Sequence, residues 1–185
     1  MAKKRPGKKR RKKTAGKRPA GRPFDPVQIM IGADKRRMVS TLNFPDHLRG
    51  RVEEMFKIDL SNVPAGKEPV FFCKATFEID DPESAMDKIE ELDDVDIAEE
   101  GKAYTEYGWS RDYPEGHWNP MSNMPGSRQS MGNIRVDLES TLRLETMTKS
   151  RMIKLIFRML DALGQDIRLT ELHFENPLDI MGGGE

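Results

Sequence analysis

From Ile134 to Thr146 the chain alternates. Ile134, Val136, Leu138, Ser140, Leu142, Leu144 and Thr146 fall on one parity, and Arg135, Asp137, Glu139, Thr141, Arg143 and Glu145 on the other. Successive strand side chains point to opposite faces, so the stretch predicts one long strand, half-buried in an antiparallel sheet. Ser140 interrupts the apolar face and marks a bulge or a break into two shorter strands. The period then changes. Met152, Leu155, Ile156, Met159, Leu160 and Leu163 recur at helical spacing behind a hydroxyl N-cap, Thr148 or Ser150. Gly164 stands where a left-handed C-cap residue belongs. Ile167, Leu169, Leu172 and Phe174 predict a closing strand, with a slip of parity near Thr170.

Upstream, Phe71, Cys73, Ala75, Phe77 and Ile79 alternate with Phe72, Lys74, Thr76 and Glu78, which predicts a strand with Phe72 facing outward. Asp81 caps a helix with Pro82 in its first turn and Glu83 favourable to the dipole; Ala85, Met86, Ile89 and Leu92 form its inner face. Val95 and Ile97 follow, then an acidic link, then a strand over Lys102–Trp109. Residues 110–132 carry Pro114, Gly116, Pro120, Pro125, Gly126 and Gly132 and read as a loop too long for a simple connector. The order over 70–174 is β-α-β-β-α-β, that of a ferredoxin-like α+β sandwich.

The N-terminal side adds a β-α extension over 25–60. Val27, Ile29 and Ile31 predict a strand, and a second short strand falls near Met38–Leu42. A helix begins at Phe44-Pro45-Asp46, with Leu48, Val52, Met55 and Phe56 on one face. The core domain is set at 70–178, and residues 179–185, with Gly182, Gly183 and Gly184, read as a flexible tail.

Charge changes the picture more than composition does. Hydrophobic residues make up 36% and charged residues 34%, enough for one core, and the net charge is zero. That balance conceals a segregation. Twelve of the 31 basic residues lie in 1–22, without one acid: Lys3, Lys4, Arg5, Lys8, Lys9, Arg10, Arg11, Lys12, Lys13, Lys17, Arg18 and Arg22. The rest of the chain holds the other 19 against all 31 acids, so an arm of +12 precedes a body of −12. Residues 1–24 offer almost no apolar surface to offset ordering entropy and are expected to be disordered when free. Such an arm suits a phosphate backbone, DNA or RNA; it equally suits a nuclear-localisation signal, an acidic protein or membrane surface, or the protein's own acidic body.

Other features carry less chemistry. Tyr104, Tyr107, Trp109, Tyr113 and Trp118 cluster with Arg111 and His117, a composition found in binding hot spots. Tyr107 and Trp109 are expected to pack against the core. Tyr113, His117 and Trp118, with Met121, Met124 and Met131 as an adaptable apolar surface, are the candidates to meet a protein partner across 104–131. The acids between Asp80 and Glu100 lack the spacing of a calcium loop and read as a solvated helix face and linker. His47 and His173 fall on regular elements and read as structural. Cys73, the single cysteine, lies on an apolar parity and reads as inert core, which excludes a disulfide framework. An enzyme would need His117, Asp112 and Glu115 to converge.

No zinc spacing, nucleophile elbow, phosphate loop or dinucleotide fingerprint occurs, so no cofactor and no metal is expected. Without an apolar run near 18 residues no membrane partner is expected, and the chain reads as cytoplasmic or nucleoid-associated, nuclear in a eukaryote. The leading reading is a non-enzymatic accessory protein of nucleic acid or ribonucleoprotein: the arm binds phosphate and the acidic domain docks a protein. The alternative is a protein–protein adaptor or assembly subunit whose arm is an address or an autoinhibitory tail.

Overall fold

The computed structural model describes residues 35, 37, 38, 42, 44–58, 68–113, 128–164 and 167–177. The arm, the expected strand at 27–31 and the tail at 179–185 lie outside these residues. The described part is α+β. A six-stranded antiparallel sheet is formed by β1 (Phe72–Ile79), β2 (Val95–Glu100), β3 (Tyr104–Asp112), β4 (Arg128–Asp137), β5 (Thr141–Thr146) and β6 (Ile167–Glu175). Its order is β2-β3-β4-β5-β1-β6. Helices α1 (Arg49–Met55), α2 (Pro82–Glu90) and α3 (Lys149–Leu163) accompany it, with a 3₁₀ turn at Asp46–Leu48.

Six strands replace the four expected, for two reasons. The long strand folds into the hairpin β4–β5 at Leu138–Ser140, where Ser140 takes a positive φ of 62°. Leu138, placed on the apolar face by parity, therefore sits in the turn and is 48% exposed. The acidic link after Ile97 is itself strand β2, paired with β3 across a bulge between Ile97 and Glu99. Of the expected loop over 110–132, residues 110–112 belong to β3 and 128–132 to β4, and 114–127 lie outside the described residues. Near Met38 a helix replaces the expected strand: Lys35, Arg37 and Met38 are helical, and the Leu42 N–H donates to the Met38 carbonyl at 2.9 Å.

Other expectations hold in detail. The Asp81 carboxylate accepts from the Ser84 N–H at 3.0 Å and caps α2, and Thr148 accepts from the Arg151 N–H at 3.3 Å and caps α3. Gly164 closes α3 with φ 78°. The parity slip near Thr170 is a bulge. Thr76 pairs Glu171 and Phe77 pairs Leu169, while the extra residue, Thr170, donates its hydroxyl to the Thr76 carbonyl at 3.0 Å.

One core fills the space between the sheet and the helices. Ala75, Phe77, Ile134, Val136, Leu142, Leu144 and Leu169 rise from the sheet to meet Met152, Leu155, Ile156 and Met159 of α3, all fully buried. Buried Ile153 and Phe157 extend the apolar stripe of α3 beyond the predicted face, and the Arg37 guanidinium lies 4.9 Å from the Phe157 ring centroid. Buried Lys149 ties α1 to α3. Its ammonium donates to the Glu54 and Lys57 carbonyls at 3.3 and 3.4 Å, beside the rings of Phe71 and Phe174. The opposite face of the sheet is polar and carries Lys74, Thr76, Arg135 and Arg143.

Candidate binding cleft

The strand pairing leaves a gap at one end of the sheet. The β4–β5 ladder ends at Asn133–Glu145, while β4 continues beside β3 as far as Arg128–Asp112. β5 follows β1 to Cys73–Thr146, the Phe71 N–H donates to the Met147 carbonyl at 3.0 Å, and the chain leaves the sheet at the Thr148 cap. Among the described residues, no strand flanks this side of β4 from Arg128 to Gly132. Gly132 marks where the two strands part: a Cβ there would lie 2.6 Å from the Glu145 carbonyl oxygen. Only glycine permits that approach.

A cleft of about 520 Å³ opens at this gap. Ser130, Met131 and Gly132 line it from β4, Phe72 from β1, Met147 and Arg151 from the start of α3, and His173 and Glu175 from β6. Phe72 and Met147, 42% and 46% exposed, both border the cleft, and Val70 nearby in sequence is 49% exposed. The Lys74–Glu145 ion pair, 3.0 Å long, also lines the cleft. Arg151 donates to the Ser130 carbonyl at 3.4 Å, and among the described residues no carboxylate pairs with it. A second hollow of about 230 Å³ shares Lys74, Asn133 and Glu145 and adds Glu106, Arg135 and Arg143. There the Arg135 guanidinium stacks 3.8 Å from the Tyr104 ring centroid and donates to Asp137 at 2.9 Å.

Cys73 also borders the cleft, yet its thiol is not a nucleophile. Burial pushes its pKa up to about 12, and its Sγ donates to the Phe71 carbonyl at 3.5 Å. The inert reading of this cysteine stands.

The other sequence candidates fall differently. All twelve cations of the arm, and Glu115, His117, Trp118, Met121 and Met124, lie outside the described residues. Tyr113 follows β3 and is half-buried. Met131, expected on an adaptable surface, is buried. Asp112 is exposed and ion-paired with Arg128 at 3.8 Å. His173, expected to be structural, is half-exposed at the cleft, 3.7 Å from Glu171. His47 is exposed.

Tyr107 and Trp109 are core, as expected, and each is fixed by an acid from the Asp80–Glu100 stretch. The Tyr107 hydroxyl donates to Glu90 at 3.1 Å, and the Trp109 indole N–H donates to Asp94 at 2.9 Å. Arg158 of α3 donates to the same Asp94 at 2.7 Å. That acidic stretch is therefore partly a structural anchor. Among the described residues, no three His, Cys, Asp or Glu side chains gather as a metal site, and no helix is long and apolar enough to cross a membrane.

The cleft is absent from the sequence reading because it arises where one strand ends before its neighbours. The outward parity of Phe72 is the one local signal that pointed to it. No protein-family model, no curated protein and no solved structure matches the chain.

Proposed function

We propose that the protein is a non-enzymatic accessory protein of nucleic acid or of ribonucleoprotein. Its basic arm binds phosphate backbone, and its anionic body docks a protein partner. The segregation of charge carries this reading: +12 over residues 1–22 against −12 over the remainder. A polycationic segment gains affinity by releasing counterions from phosphates and reads little sequence. The body supports the division of labour. Among the described residues the polar face of its sheet offers mainly ion pairs, with Phe72 as its one exposed large aromatic, a sparse platform for stacking bases. The sheet itself reads as a ferredoxin-like sandwich widened by β3 and β4, because the β5-α3-β6 unit straddles β1 as a split β-α-β unit does. The place of action is the cytoplasm or nucleoid, or a eukaryotic nucleus.

The test is binding of the full chain, and of a variant lacking residues 1–22, to labelled duplex DNA and single-stranded RNA over a salt series. With about 6–10 phosphates contacted, log affinity falls with log salt at about 0.9 per contact on duplex. That slope should vanish with the arm. Equal binding by both proteins, or by neither, overturns the reading. The second outcome favours an adaptor, for which the exposed Phe72 and Met147 in a formed cleft are the supporting observation.

A further inference from the structure

We propose that the cleft is a binding site for a short peptide with free ends, about four residues long, lying across the strands rather than along them. Its carboxylate meets Arg151, its apolar side chains rest on Phe72 and Met147, and its amine meets Glu175. The site goes beyond the proposed function and does not rest on it.

Strand register sets the order of groups across the cleft. Glu175 of β6 pairs Phe72 of β1, and Met147 stands opposite Phe72, one step beyond the Cys73–Thr146 pair of β1 and β5. Phe72 shares the parity of Lys74, and Met147 that of Glu145, so both stand on the polar face of the sheet. Past β5 the Arg151 guanidinium reaches β4, where it donates to the Ser130 carbonyl. One row across β6-β1-β5-β4 therefore reads carboxylate, aromatic ring, thioether, guanidinium. Neighbouring strands lie about 4.8 Å apart, so the two ends of the row are about 14 Å apart. An extended chain advances about 3.3–3.6 Å per residue, and about four residues span that distance.

Charge selects the two ends of the ligand. Among the described residues, neither Arg151 nor Glu175 has an ion-pair partner, whereas Lys74 and Glu145 satisfy each other at 3.0 Å. Arg151 uses one donor on Ser130 and keeps the rest of its fork for a carboxylate. An ammonium suits Glu175. This orders the peptide, with its C-terminus toward α3 and its N-terminus toward β6.

The next row selects a peptide over a plain hydrocarbon zwitterion. His173, Lys74, Glu145 and Asn133 pair in register across the same four strands, alongside the first row. A peptide offers its backbone N–H and C=O groups to these polar side chains, while alternate side chains turn to Phe72 and Met147. An alkyl chain offers them nothing. The volume of about 520 Å³ is within the range of small-ligand sites.

The probe is a tetrapeptide of alanine and valine, free at both ends, titrated into the isotope-labelled full chain. The expected result is saturable shifts of the Phe72, Met147 and Ser130–Gly132 backbone amides, with β2 unmoved. Acetylating the amine or amidating the carboxylate should each weaken binding by about tenfold, the loss of one charge-assisted contact. Variants assign the ends. Glu175→Gln should weaken the free peptide and leave the acetylated one unaffected, and Arg151→Gln should do the same for the free and amidated pair. Blocking the peptide needs no variant, so that comparison stands even if a variant is misfolded. A dipeptide, about 7 Å long, reaches one end only and should bind about tenfold more weakly.

No saturable shift at millimolar peptide, equal binding of the free and doubly blocked peptides, or a dipeptide as tight as the tetrapeptide would each overturn the proposal. So would equal binding of 8-aminooctanoate, which carries both charges without a peptide backbone. Nucleic-acid binding over salt is read separately, so failure here leaves the arm's role standing.

Discussion

Asp94 shows how a residue that sequence places in a solvated acidic run becomes a fastener. Burial raises its pKa, but hydrogen bonds from Arg158 and Trp109 outweigh it and hold the carboxyl below the usual carboxylate range. A lowered folded pKa means that ionised Asp94 stabilises the fold above its ordinary value near 4, and that this contribution is lost as pH falls through the folded value. Asp94→Asn should therefore cost about 1 kcal/mol at pH 7, a modest figure because the pair is partly exposed. The gap between variant and parent should close on acidification. Denaturant melts from pH 7 to pH 2 test it; a gap constant with pH would assign the effect to shape rather than charge. Tyr107 is fixed in the same manner, its phenol raised by burial and by the hydrogen bond to Glu90. Neither tie is written in the spacing of residues, because Asp94 meets Arg158 across 64 positions of chain.

At the scale of elements, the strand pair β4–β5 is defined at both ends by one unusual backbone position. At the turn, Ser140 holds a left-handed φ that costs a non-glycine residue about 1 kcal/mol. At the other end, Gly132 admits the Glu145 carbonyl where a methyl group cannot fit. Ser140→Gly should leave stability unchanged or raise it by up to about 1 kcal/mol. Gly132→Ala should cost about 1–3 kcal/mol, since the obstructing atom is backbone and cannot rotate away. Thermal melts of the two variants test the contrast, and a harmless Gly132→Ala would remove the argument that this glycine sets where the strands part.

These elements also mark how far the sequence was legible. Alternation and helical period located β1, α2, α3 and β6, both hydroxyl or carboxylate caps, and the bulge at Thr170, because each depends on neighbours along the chain. The hairpin was visible only as an interruption at Ser140, since a tight turn preserves parity on either side. The helix at Met38 was misread because an isolated apolar pair has no period. The cleft was invisible for a deeper reason: it depends on β5 stopping before β4, and pairing length is decided across strands.

For the molecule as a whole, the consequence of segregated charge goes beyond any single partner. Net charge is zero, yet no part of the chain is neutral: an arm of +12 is covalently tied to a body of −12. Two copies therefore attract, arm to body, although their net charges do not repel or attract at all. The body supplies exposed acids for this. Asp80, Glu83, Asp87, Glu91, Asp93 and Glu100 lie on or beside α2 and β2, and none has an ion pair among the described residues. The attraction reaches about 30 Å at 0.01 M salt and about 8 Å at 0.15 M, so salt should dissolve what low ionic strength assembles. The expected outcome is that the full chain self-associates in light scattering at 0.01 M salt and disperses by about 0.3 M. A chain lacking residues 1–22, left at −12 and repelling its copies, should stay monomeric throughout. Adding an equal charge of short duplex DNA to the full chain at low salt should compete for the arm and disperse it. Association that persists at high salt, or survives deletion of the arm, would show instead that apolar surface drives it, and the exposed pair Phe72 and Met147 would be the place to substitute next.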